Sequence, residues 1–163
     1  MIENIMEIGK DDIPDCVRVI QESFLTVAEE FGFTQENAPR FTGFAVNEER
    51  LIWQYEQDNR LMFKYCADNE IIGYYSLYLK SRDECELNNL CVVPEYRHRG
   101  IGEKLLKHAF EAAGELDFNK MFIGIVEENV RLRRWYESFG FEHTGTEKLD
   151  FFPFTCGYME KKL

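Results

Sequence analysis

Apolar residues recur along this chain with two different periods, and the change from one to the other marks out its elements. Ile13, Val17, Ile20, Phe24, Ala28 and Phe31 fall at the spacing that stacks side chains on one face of a helix. Asp11 and Asp12 precede that run as caps, Pro14 fits its first turn, and Gly32 follows its last apolar residue. A second helix is predicted from Glu48 to Gln57, and a third from Gly100 to Gly114 with Ile101, Leu105, Ala109 and Ala113 on one side. A fourth starts at Asn129, a good cap, and runs through Phe139 to a stop at Gly140. Shorter runs read as strands over 1–8, 61–67, 71–80, 84–93, 118–126, 141–148 and 154–159. Asp68-Asn69-Glu70 is a tight hairpin turn between the second and third of these.

The order is β-α-α-β-β-β-α-β-α-β-β, which predicts an α/β (α+β) fold with a mixed sheet of about seven strands and about four helices on its two faces. Only the central strand–helix–strand unit must be a parallel crossover. Between the first two helices, Phe33 to Asn47 is broken by Pro39 and Gly43. A connection of that length in a compact domain often serves as a lid.

The length of 163 residues is that of one domain, so residues 1–163 are expected to fold as a unit. Fourteen Phe and eight Tyr supply a sizeable core. A net charge of −11 argues against nucleic acid and against an anionic membrane surface, and is compatible with a cationic amine. The five cysteines form no C-x-x-C pair, and the three histidines are scattered, so neither disulfides nor a bound metal is expected. No apolar run approaches a membrane span and no signal-peptide pattern opens the chain. A cytoplasmic protein is the expectation. Exposed edge strands would allow a homodimer.

Candidate chemistry concentrates in one place. Leu87 to Val93 reads as a buried strand stopped by Pro94, and Arg97-His98-Arg99-Gly100-Ile101-Gly102 then leads into a helix at Glu103. The glycines let backbone approach a ligand closely. The helix start offers unpaired N–H groups and the positive end of its dipole. Arg97 and Arg99 add full charge against an acidic background. A phosphorylated cofactor suits such a turn. It lacks the G-x-x-x-x-G-K-[ST] string of a nucleoside-triphosphate loop.

Two segments and the element order resemble the GCN5-related N-acetyltransferases. Leu90-Cys91-Val92-Val93-Pro94-Glu95-Tyr96-Arg97-His98-Arg99-Gly100-Ile101-Gly102 is similar to that family's acetyl-CoA segment. Asn129 to Phe141 is similar to its N-x-x-x-x-x-x-Y-x-x-x-G-F helix. The resemblance implies a GNAT-like acyltransferase fold and acetyl-CoA as co-substrate, without a metal. It implies that the diphosphate sits on the N–H groups of residues 98 to 103, Glu103 included. The pantetheine arm would add like a strand to Leu90, Cys91 and Val92, and Asn129 would hydrogen-bond it.

Acetyl transfer needs a deprotonated amine, a hydrogen-bond donor to the thioester carbonyl and a proton for the leaving thiolate. The resemblance gives the last role to Tyr136, which also fits as a core aromatic beside Leu132, Trp135 and Phe139. The carbonyl donor would be an N–H near Cys91 or Val92, with Cys91 itself packing rather than attacking. Strict alternation places Glu86, Asn88, Leu90 and Val92 on one face, which makes Glu86 a candidate general base, directly or through water. A solvated strand-start glutamate reads equally well. Relatives that acetylate protein N-termini often carry a glutamate where this chain has Gly124, and Glu127 and Glu128 lie close to the next helix.

Arg131, Arg133 and Arg134 could reach a cofactor phosphate or form a solvated face. Phe33, Phe41 and Phe151-Phe152-Pro153-Phe154 suggest an aromatic-walled acceptor site or plain sheet-edge packing. The leading expectation is an N-acetyltransferase for a small-molecule primary amine. Its alternatives are a protein lysine or N-terminal acetyltransferase and a non-catalytic coenzyme A binder.

Overall fold

The computed structural model describes all 163 residues. The chain runs β1 (Glu3–Glu7), α1 (Ile13–Phe31), α2 (Thr42–Ala45), α3 (Glu48–Gln57), β2 (Arg60–Ala67), β3 (Glu70–Leu79), β4 (Glu84–Val92), α4 (Ile101–Glu115), β5 (Lys120–Val126), α5 (Val130–Glu137), β6 (Glu142–Glu147) and β7 (Cys156–Lys162). The seven strands make one mixed sheet in the order β1-β2-β3-β4-β5-β7-β6. Local signals act where the sequence marks them. Gly32 closes α1 in the left-handed region at φ 73°. Asp68 and Asn69 turn the β2–β3 hairpin with φ of 49° and 68°, the pair of positive angles a two-residue hairpin needs. The Asn129 side chain accepts the Leu132 N–H at 3.2 Å.

Helix α1 packs on β3 and β4 from one side and α4 from the other, burying a core that includes Tyr65, Tyr74, Tyr75, Leu105 and Met121. At Gly73 a Cβ would stand 3.0 Å from the Leu105 side chain and 3.2 Å from the Cys91 carbonyl. Only glycine lets β3, β4 and α4 come this close.

Two features of the sheet open a site. Strands β4 and β5 run parallel but pair only from Glu84↔Lys120 to Glu86↔Phe122. From Leu87 onward β4 has β3 on one edge and no strand on the other. The second feature corrects the strict alternation expected along β4. The register slips between the pairs Tyr74↔Cys91 and Ser76↔Asn88, and Asn89 takes φ 54°. This β-bulge adds a residue and reverses the parity beyond it. Glu86 and Asn88 therefore share a face with Cys91, on the α1 side, while Val92 turns to the α4 side.

The last strand begins at Cys156, later than expected, and extends through Lys162. It inserts between β5 and β6, so its polar end is held by pairing with Lys120 to Ile123. The aromatic residues before it serve elsewhere. Phe33, Phe41 and Phe154 are buried in a satellite cluster with Ala28 and Ala38. No helix is long and apolar enough to cross a membrane.

Candidate active site

The turn after β4 is built to expose backbone donors. A single 3-10 turn at Pro94–Tyr96 ends the strand. His98 and Gly100 then take positive φ, 63° and 79°, which swings the chain so that α4 begins with its N-terminus facing the gap between β4 and β5. Gly100 is the N-cap and no side chain caps the helix. The first-turn N–H groups are left without an intrahelical partner. A Cβ on Gly102 would meet nothing closer than the Trp135 ring at 3.7 Å, so room remains in front of these donors. A diphosphate suits this cradle in size, charge and hydrogen bonding.

The cradle opens into a cleft of about 570 Å³. Its walls are Ser23, Phe24, Thr26, Val27 and Glu30 of α1, Leu90, Cys91 and Val92 of β4, Arg97, His98, Gly100, Ile101, Gly102 and Glu103, and the α5 segment with Asn129, Arg131, Trp135 and Tyr136. The structure thus brings together nearly every residue singled out in the sequence. Of the residues proposed for catalysis and for holding the cofactor, Arg99 and Glu86 stand outside the lining.

The two arginines of the turn have different jobs. Arg97 folds inward: its Nε donates to the Val92 carbonyl at 3.0 Å, one terminal nitrogen to Thr26 Oγ1 at 2.9 Å and the other to the Ser23 carbonyl at 2.9 Å. It is a bracket between α1 and β4 that also places a cation at the cleft. Burial lowers its pKa, but guanidinium stays charged in proteins. Arg99 lies over the Tyr96 ring at 5.0 Å. Arg97→Ala should lower unfolding free energy by about 2–3 kcal/mol, because it leaves buried acceptors without a charged donor. The urea midpoint measures this, and Arg99→Ala should leave it unmoved.

Tyr136 is 7% exposed, and its ring packs edge-on against Trp135 and Phe141, 5.0 and 5.4 Å between centroids. Burial pushes its phenol pKa up, so the group holds its proton across the neutral and alkaline range. The Cys91 thiol is pushed up to about 12 by burial, which fits a packing role.

Glu86 lies lower on β4, at the last row before β4 and β5 part, with Tyr78 on one side and Phe122 on the other. No carboxylate near Gly124 takes its place. Glu127 is held by Arg133 at 2.9 Å and His143 at 2.8 Å, and Glu128 accepts the Thr155 N–H at 2.7 Å. Arg133 is thereby committed to Glu127, and Arg131 reaches across the cleft to Glu30 at 3.1 Å.

The aromatic residues expected to wall an acceptor site turn inward on one another. Phe33 and Phe41 lie 4.8 and 6.0 Å from Phe154, and Arg40 covers Phe151 at 4.2 Å. They fasten the α1–α3 connection to the β6–β7 loop. Sequence reading missed the α1 wall, Ser23 to Glu30, because only the fold brings it to β4.

A cradle at a strand–helix turn, beside two parallel strands that part, invites comparison with known proteins. The model of the acetyltransferase (GNAT) family matches residues 23–141. The chain belongs to this family. It is an acetyl-CoA-dependent N-acetyltransferase. An uncharacterized N-acetyltransferase of Lactobacillus delbrueckii subsp. lactis is 23% identical over 147 residues, covering 83% of this chain and 82% of that one. Among solved structures, the PaiA N-acetyltransferase of Thermoplasma acidophilum, in complex with coenzyme A, superposes with a TM-score of 0.84 at 22% identity, over the full length of both chains. A ribosomal-protein-alanine N-acetyltransferase of Escherichia coli gives 0.78 at 16% identity, covering 99% of this chain and 94% of that one. These structures share the GNAT fold of this chain.

Proposed function

We propose that the chain moves the acetyl group of acetyl-CoA directly to a primary amine of a small molecule. Acetyl-CoA supplies the activated acyl group as a thioester. The N–H groups from His98 to Glu103 hold its diphosphate, with the helix dipole and Arg97 supplying positive potential. Arg99 adds charge at the outer side of the turn. The free edge of Leu90, Cys91 and Val92 pairs with the pantetheine amides, and an N–H near Cys91 polarises the carbonyl. Asn129 caps α5 and offers its amide to the arm. Tyr136 donates a hydrogen bond toward the sulfur as negative charge gathers there.

An alkylammonium with a pKa of about 10.4 is not a nucleophile at neutral pH. Glu86 takes its proton, directly or through water. Its carboxylate lies on the α1-side face of β4, the face that Cys91 joins after the bulge.

The observation that carries the small-acceptor reading is the aromatic clasp. Phe33, Phe41 and Phe154 tie the α1–α3 connection to the β6–β7 loop, and a connection tied down in this way favours a covered pocket over an open groove. A protein α-amine is the second reading. Likeness to a ribosomal-protein-alanine N-acetyltransferase favours it, and Gly124 with the committed Glu127 and Glu128 weighs against it. Thiol release measured over polyamines, amino acids, aminosugars and peptides decides. Turnover confined to small amines supports the proposal, and turnover confined to peptides overturns it. Glu86→Gln should cut kcat by about tenfold or more and flatten the acidic limb of the pH profile. The sign follows from the base having to be ionised. A protonated carboxyl cannot accept the amine's proton, and glutamine has no such protonation step. An unaltered profile would pass the role to another group.

A further inference from the structure

On the α1-side face of the sheet, an unbroken chain of hydrogen bonds runs across three strands and ends on Glu86. Asp58, just ahead of β2, accepts from Arg60 Nε at 3.0 Å. Arg60 then donates to Ser76 Oγ on β3 at 2.9 Å and to Asn88 Oδ1 on β4 at 2.7 Å. Asn88 Nδ2 donates to Glu86 Oε1 at 3.0 Å. The Arg60–Asp58 ion pair that begins it is largely withdrawn from water, its side chains 11% and 14% exposed, and the Arg60 guanidinium lies over the Tyr78 ring at 5.4 Å.

The direction of this chain is set by chemistry. Guanidinium has donors and no acceptor. Asn88 must therefore turn its carbonyl oxygen to Arg60, which leaves its NH₂ facing Glu86. That NH₂ can only donate, so Glu86 must accept on Oε1. A carboxylate does this in its ionised form with its second oxygen left over. The geometry points to Asn88, locked by Arg60, as a positioning residue. It fixes the rotamer of Glu86 and directs the free oxygen at the acceptor amine or the water between them. This rests on Glu86 being the base. It adds that the base is held from β2 and β3, through an arginine 28 positions ahead of Asn88 in the chain.

The test is a double-mutant cycle on kcat with the best acceptor from the panel, using Asn88→Asp and Glu86→Gln. Asn88→Asp keeps an acceptor for Arg60, so the inner part of the chain survives; it removes the amide that donates to Glu86 at 3.0 Å and to the Leu87 carbonyl at 3.3 Å, and adds a negative charge. We expect kcat about tenfold lower with the KM for acetyl-CoA unchanged, and a further change of less than about twofold when Asn88→Asp is added to Glu86→Gln. Asn88→Ala, which removes the donor without adding charge, should repeat the pattern if the aspartate variant fails to fold. Equal penalties in the wild-type and Glu86→Gln backgrounds would overturn the positioning role while leaving Glu86 as base. A Glu86→Gln enzyme with wild-type kcat would overturn both, and the first arm of the cycle reads that separately.

Discussion

Tyr136→Phe is expected to lower kcat by about a hundredfold while the affinity for coenzyme A stays within about twofold of wild type. The substitution is unusually clean. The ring is buried between Trp135 and Phe141, and phenylalanine keeps those edge-on contacts and leaves no cavity. What disappears is one O–H at the wall of the cleft. The raised pKa of that phenol refines its role. A phenol above its ordinary value of about 10 is a weaker acid than a thiol of about 8.5, so outright proton transfer to the sulfur is uphill. Its contribution is a hydrogen bond that strengthens as the thiolate forms, with the proton balance closed by the ammonium generated on the acceptor. The pH profile should accordingly show no falling limb from Tyr136 below about pH 10. The group is needed protonated, and a raised pKa moves its loss to higher pH. Steady-state rates with calorimetry on both proteins check the prediction. An unchanged kcat would remove Tyr136 from the chemistry.

Gly102→Asp should separate stability from function. The position is in the first turn of α4, where a carboxylate interacts favourably with the helix dipole, worth about 0.3–1 kcal/mol. The nearest obstacle to its Cβ is the Trp135 ring at 3.7 Å, so the side chain fits. The unfolding midpoint should hold or rise. The same carboxylate satisfies the donors that the diphosphate needs and repels it, so the KM for acetyl-CoA should rise by about a hundredfold. Gly102→Ala, with a methyl and no charge, should raise that KM far less. Denaturation and steady-state kinetics on the three proteins decide. Normal binding by the aspartate variant would mean that the diphosphate lies elsewhere.

The parts of this molecule legible in its sequence are those fixed by neighbours in the chain. Gly32 and Asn129 end and begin helices by their own chemistry, and Asp68-Asn69 turns a hairpin the same way. The turn that opens α4 was legible for that reason, since Pro94 and Gly100 shape it locally. What escaped depends on distant contacts. The bulge at Asn89 uses a non-glycine residue at positive φ, and nothing in its neighbours announces it. Arg97 has the look of a free cation in sequence, but oxygens of α1 more than 70 positions earlier claim it. The hydrogen bonds that steady Glu86 come from β2 and β3 and become visible only once the sheet is assembled.

The central claim is that main-chain N–H groups in the first turn of α4 bind the cofactor's diphosphate. A crystal structure with acetyl-CoA bound tests it most directly. Diphosphate oxygens should lie within hydrogen-bonding distance of backbone nitrogens between His98 and Glu103, with the thioester between β4 and Tyr136. A fully occupied cofactor whose diphosphate rests on side chains alone, away from that turn, would contradict it.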